Sequence, residues 1–145
     1  MIQTDNPIRK RLAAAGALLF FVGMVTGLWT ALAITNKFGF GDGRLALAAH
    51  LNALLGGIWL IVVAWSFQYL HYGPKGQFRL AVAVGVPAWS NWFFTTIASF
   101  LSVTGLEYTG NRANDVIAFF LQTFVVLPTL FASGFWAWGF RSRRD

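Results

Sequence analysis

Two side chains able to do chemistry stand inside apolar sequence: His50, in the run Ala46 to Gly57, and Asn91, in the run Val86 to Phe94. Ionisable groups are rare in such runs, and where they occur they face other protein and have a partner. At helical spacing Ala46, His50, Ala53 and Gly57 share one face, so the imidazole is flanked by side chains too small to fill space. Two readings follow. Small residues let a neighbouring helix come close, with His50 bonded to a carbonyl or a serine. Alternatively, His50 offers a nitrogen to a metal, and the Ala/Gly face leaves room for a flat cofactor such as haem. Asn91 is costly at mid-bilayer unless bonded, so it either ties two helices together or is aimed at a ligand. Thr95, four residues on, points the same way.

The second histidine, His71, is 21 residues beyond His50, about 30 Å away along a straight helix, so the two cannot bind one metal within a chain. The sequence has no cysteine, which excludes disulfides, thiolate ligation, iron–sulfur clusters and cysteine catalysis together. A haem held by His50 would keep one axial position open, which suits ligand or substrate chemistry at the iron better than electron transfer. The glycine-rich stretch Thr35 to Arg44 follows no strand and leads to no Gly-Lys-Ser/Thr, so it is a turn rather than a phosphate loop. The polar stretch Gly105 to Asp115 is expected to cap a helix with Asn114 or Asp115. It is also expected to close over His50 with Tyr108, Asn111, Arg112, Asn114 and Asp115, His50 lying about 8 Å inside that surface. No Ser/His/Asp set, H-E-x-x-H or close carboxylate pair assembles.

The elements that must position these groups are membrane spans. The 145 residues are 57% hydrophobic and 11% charged, with a mean hydropathy of +0.59, and the apolar residues come in runs of spanning length. The reading is an all-α, four-helix integral membrane bundle forming a single domain over 1–145, with helices at about 12–35, 45–70, 79–104 and 115–140. Arg9, Lys10, Arg11, Lys75, Arg79, Arg141, Arg143 and Arg144 fall on one side, and Lys37, Arg44 and Arg112 on the other. That partition places both termini in the cytoplasm and the chain in the inner membrane as a multi-pass protein. The net charge of +6 is then a topology signal, and no basic face for nucleic acid accompanies it. Lipid is the expected environment, with Trp65, Tyr69, His71 and Tyr72 forming an interfacial aromatic belt. Gly23 and Gly27 make a G-x-x-x-G pair expected to pack helices, Pro87 is expected to kink the third helix, and the Phe and Trp row of the fourth suits lipid or an aromatic substrate.

Ala49 to Gly57, Trp89 to Thr95 and Asn111 to Asp115, taken in order, resemble the hydroxylaminobenzene mutase and styrene oxide isomerase superfamily over nearly the whole chain. The resemblance implies a membrane homotrimer holding haem b between subunits, with His50 as the axial ligand to iron and Asn91 positioning a small aromatic substrate. With the face and loop readings above, the cofactor-binding set also takes in Ala46, Ala53, Gly57 and Arg112, and the catalytic set Asn52, Thr95, Tyr108 and Asp115. Gly56 stands where the family pattern has an asparagine six residues after the histidine, and Asn52 would substitute from one helical turn away. Thr95 stands where styrene oxide isomerases have a tyrosine, which favours the mutase branch. The implied reaction is rearrangement of an N-hydroxylaminoarene to an aminophenol. The alternatives are an epoxide-to-aldehyde isomerase, a hydroxylaminobenzoate lyase with Arg112 holding the carboxylate, and a haem-binding sensor or electron carrier.

Overall fold

A computed structural model of the protein describes residues 6–37 and 39–141, and these are helical with short connections and no strand. Helix α1 runs Pro7–Ile34, and Asn6 caps it by accepting from the backbone N–H groups of Ile8 and Arg9. Pro7 stands at the first helical position, where no N–H is required. Helix α2 runs Gly43–Ser66 behind an Asp42 cap and continues into a 3-10 turn, Phe67–Tyr69. Helix α3 runs Pro74–Leu101 and ends at Ser102 in the left-handed conformation. The fourth span is α4, Arg112–Leu121, a π turn, Gln122–Val126, and α5, Leu127–Trp138.

The four spans are 28, 27, 28 and 27 residues long, and each is apolar enough to cross a bilayer, so the chain is a multi-pass membrane protein. The spans at Pro7, Pro74 and Arg112 start three to five residues earlier than the apolar runs suggested. Caps and prolines, not the hydrocarbon boundary, start these helices, and Arg9, Lys10, Lys75 and Arg79 fall in their first two turns, where long charged side chains can snorkel to an interface. Arg143 and Arg144 lie outside the described residues.

Packing is closest between α1 and α2. A side chain on Gly57 would begin 2.7 Å from the Gly16 carbonyl oxygen, and one on Gly23 would begin 3.0 Å from Ala53 Cβ. Small residues are needed there because lipid is as apolar as leucine, so helices associate through close van der Waals fit and interhelical hydrogen bonds. Indole N–H groups supply several such bonds. Trp92 donates to Thr26 Oγ1 at 3.0 Å and Trp29 to Ser99 Oγ at 3.0 Å, tying α1 to α3 in both directions, while Trp136 donates to Ser66 Oγ at 2.9 Å and ties α5 to α2.

The fourth span lies mainly on α3. At the end that carries the termini it also closes on α2: Tyr72 donates its hydroxyl to the Phe135 carbonyl, and His71 donates to the Gly139 carbonyl from both its backbone N–H and Nδ1. Towards the other end the fourth span leaves α2, and a cleft opens between them over α3. Helix α3 stays helical through Pro87, which is buried. The interruption falls instead in the fourth span. Leu127 N–H bonds to the Gln122 carbonyl five residues back, and the wider turn precedes Pro128, whose ring would otherwise press on the preceding turn.

Candidate functional site

His50 faces α1. Its Nδ1 lies 2.7 Å from the Gly23 carbonyl oxygen, which can only accept, so Nδ1 carries the proton of the neutral ring and Nε2 carries the lone pair. Gly27 provides the clearance, since a Cβ there would sit 3.0 Å from His50 Cε1 and 3.2 Å from Nδ1. The G-x-x-x-G pair of α1 therefore does two things: its first glycine supplies the carbonyl that fixes the tautomer, and its second makes room for the ring.

The small-residue face around His50 is filled by protein. Ala46 is buried, with its carbonyl accepting from Thr30 Oγ1 at 2.9 Å; Ala53 packs on Gly23; Gly57 packs on Gly16 and Phe20. The expectation that Ala46, Ala53 and Gly57 leave room for a flat cofactor is thus corrected: α1 takes that space, because glycines on both helices let the backbones approach. His50 itself is only partly buried.

The second polar centre is built on α2 and α3. Asn52 Nδ2 donates to Asn91 Oδ1 at 3.1 Å and to Thr95 Oγ1 at 3.2 Å, and Thr95 Oγ1 donates to Asn91 Oδ1 at 3.3 Å. Asn91 is helix-to-helix glue through its oxygen. Its Nδ2 and the Oδ1 of Asn52 bond to no other described group, and both residues line the cleft between α2, α3 and α5. This cleft has a volume of about 270 Å3 and is otherwise bounded by Leu55, Gly56, Trp59, Pro87, Ala88 and Thr129. It therefore presents one free donor and one free acceptor in apolar surroundings, a combination that orients a small polar head on an apolar body. A Cβ on Gly56 would sit 3.2 Å from Leu19 Cδ2 and 3.5 Å from Ala88 Cβ, so a larger side chain there would crowd both, and Asn52 is the amide of α2 that lines the cleft.

His50 and Asn52 are two residues apart, about 200° around the helix, and their contacts agree: one meets α1, the other α3. The two centres lie on opposite sides of α2. The loop 105–111, expected to cover His50, instead folds onto the start of α4. Asn111, not Asn114 or Asp115, is the cap, accepting from Ala113 and Asn114 N–H; Asp115 accepts from Thr109 and Gly110 N–H, and buried Asn114 bonds to Gly105 and Glu107. Tyr108 is exposed, and Arg112 borders an apolar groove between α3 and α4 with Phe94, Leu101 and Phe120. The acceptors of this loop are consumed by its own backbone. Among the described residues, no bond or shared cleft joins Tyr108, Arg112 or Asp115 to His50.

Thr129 and Trp59 escaped sequence reasoning. Trp59 follows Asn52 by seven residues and so shares its face, a signal that was present. Thr129 follows a π turn, beyond which helical spacing from the start of the span no longer gives direction.

The fold and cleft define a class: a small polytopic membrane protein with an apolar pocket floored by amides rather than by titratable groups. The sequence matches the styrene oxide isomerase family over residues 8–141, and the chain belongs to that family. It is also 27% identical over 149 residues to hydroxylaminobenzene mutase HabB of Ectopseudomonas oleovorans, covering 96% of this chain and 85% of that protein. Both relationships support an isomerase activity.

Proposed function

We propose that the protein rearranges an N-hydroxylaminoarene to an aminophenol, in a site composed of the Asn52/Asn91/Thr95 cleft of one copy and His50 of a neighbouring copy. The observation that carries this reading is the pairing of a free donor, Asn91 Nδ2, with a free acceptor, Asn52 Oδ1. A hydroxylamino group has N–H and O–H donors and an acceptor oxygen, so it satisfies both amides. An epoxide only accepts and would leave Asn52 Oδ1 unpaired, at a cost of about 1–3 kcal/mol.

The reaction needs no electrons. The N–O bond breaks with its pair going to oxygen, which departs as water after taking one proton. Positive charge spreads over nitrogen and ring, water oxygen bonds to a ring carbon, and one proton is released as the ring regains aromaticity. Asn91 Nδ2 donates to the departing oxygen while Asn52 Oδ1 holds the N–H, and these contacts strengthen as charge develops. Trp59, which lines the cleft, offers an indole whose π system favours a cation, and Leu55 and Ala88 make the surroundings apolar.

The donor chemistry at His50 fits haem. Its Nδ1 proton is committed to a carbonyl, the arrangement that fixes metal-binding histidines, and Nε2 keeps a lone pair. Bound there, haem would supply a Lewis-acidic iron. Because the face inside the chain is filled by α1 and the amide cleft lies across α2, a second copy is needed to bring the two together. A cyclic homotrimer in the inner membrane meets that requirement.

Purified protein or membranes should convert phenylhydroxylamine to an aminophenol without NAD(P)H, flavin or added oxygen. The protein should show a haem absorption band that His50→Ala abolishes and His71→Ala retains. Asn91→Ala should lower turnover about 30- to 1,000-fold with unchanged haem content, as expected for one lost hydrogen bond to developing charge. The family match supports a second reading, epoxide-to-aldehyde isomerisation. Conversion of styrene oxide with phenylhydroxylamine untouched would select it.

A further inference from the structure

Thr129 lines the cleft opposite Asn52 and Asn91, in the middle of the fourth span. Several hydroxyls of the spans are tied to their own helix: Thr26 donates to the Val22 carbonyl, Thr30 to that of Thr26, and Thr96 to that of Trp92. Thr129 makes no such bond among the described residues. A hydroxyl at this depth has no water to turn to, and leaving it dry is unfavourable. Its position follows from the two irregular features just before it, the π turn at Gln122–Val126 and Pro128. A π turn inserts one extra residue into a helical turn, so everything after it is rotated by about 100° relative to an unbroken helix. Such turns recur at functional sites because they re-aim side chains.

We infer that Thr129 is a substrate-contacting residue, its hydroxyl joining Asn91 Nδ2 and Asn52 Oδ1 as a third polar contact to the nitrogen-bearing head of a small aromatic molecule. The inference rests on the proposed reading of the cleft and extends it to the fourth span. Asn91 can only donate with the atom it has free, and Asn52 can only accept. Thr129 can do either, so the three together hold a head group that both donates and accepts, and fix its rotation about the bond to the ring. Leu55 and Trp59 remain for the ring itself.

The test compares Thr129→Val, which keeps shape and removes the hydroxyl, with Thr129→Ser, which keeps the hydroxyl. Calorimetric titration of the purified full-length protein with aniline and with toluene reads the polar contact separately from the apolar one and separately from turnover. Thr129→Val should weaken aniline binding about fivefold to tenfold, leave toluene unchanged, and raise KM for phenylhydroxylamine by a similar factor; Thr129→Ser should restore both. Equal aniline affinity in the wild type and Thr129→Val overturns the inference, as does a wild type that binds aniline no better than toluene. If the wild type binds aniline through Thr129 yet does not rearrange phenylhydroxylamine, the contact stands and the proposed reaction falls.

Discussion

At the scale of single residues, the molecule separates two jobs that the sequence placed two residues apart, on opposite sides of one helix. His50 is oriented by a carbonyl of α1, and Asn52 by the amide and hydroxyl of α3. This makes Gly27 as consequential as the histidine. A methyl group there would begin 3.0 Å from the imidazole and displace it from the Gly23 carbonyl. Gly27→Ala should therefore lower occupancy of the proposed haem at least tenfold, measured as absorbance per protein, while circular dichroism stays helical. Retention of full absorbance would mean that the Gly23 bond does not orient the ligand. Asn111 and Asp115 show the converse: residues that sequence reading placed in or near the site are used in capping and in closing their own loop.

At the scale of elements, the α1–α2 seam is the rigid part and the fourth span the adaptable one. Gly57→Leu would drive a side chain into the Gly16 carbonyl and the Phe20 backbone, from 2.7 and 2.8 Å, where neither can yield cheaply. Overpacking of this kind costs about 1–3 kcal/mol or more, so Tm in detergent should fall by several degrees. Gly85→Leu is the control. It also replaces a mid-helix glycine, but nothing lies within 4 Å of the new Cβ, so Tm should hold or rise. A similar loss in both variants would indicate that glycine matters for helix flexibility rather than for close approach.

At the scale of the whole molecule, the absence of cysteine makes orientation directly measurable. Single cysteines replacing Lys37 and Lys75 lie at opposite ends of the bundle. In intact cells a membrane-impermeant maleimide should label the Lys37 position and spare the Lys75 position; the reverse would place the termini outside. Stability should also respond to alkali at one identifiable place. Burial raises the Tyr72 pKa above its ordinary 10.0, because the ionised phenol loses hydration, and its hydroxyl holds the Phe135 carbonyl. A folded-state value above the unfolded one means that the stabilisation is fully present below about pH 10 and is lost as pH rises through the folded value. Melting curves should fall more steeply above about pH 10 for the wild type than for Tyr72→Phe, and parallel curves would contradict this account.

Run length and charge in the sequence determined the four spans and the helical class, because a chain crossing hydrocarbon must satisfy its backbone within each segment and only long apolar helices do so here. Asn91 with Thr95 was legible too, as a pair four residues apart on one face. Spacing within a helix gives the angle between side chains but not which neighbour each angle meets. Only the tertiary structure decided that the Ala/Gly face belongs to α1, that Asn52 meets Asn91, and that the 105–111 loop turns to its own helix. Thr129 lay furthest from sequence reading, since a π turn resets the helical phase on which that reading depends.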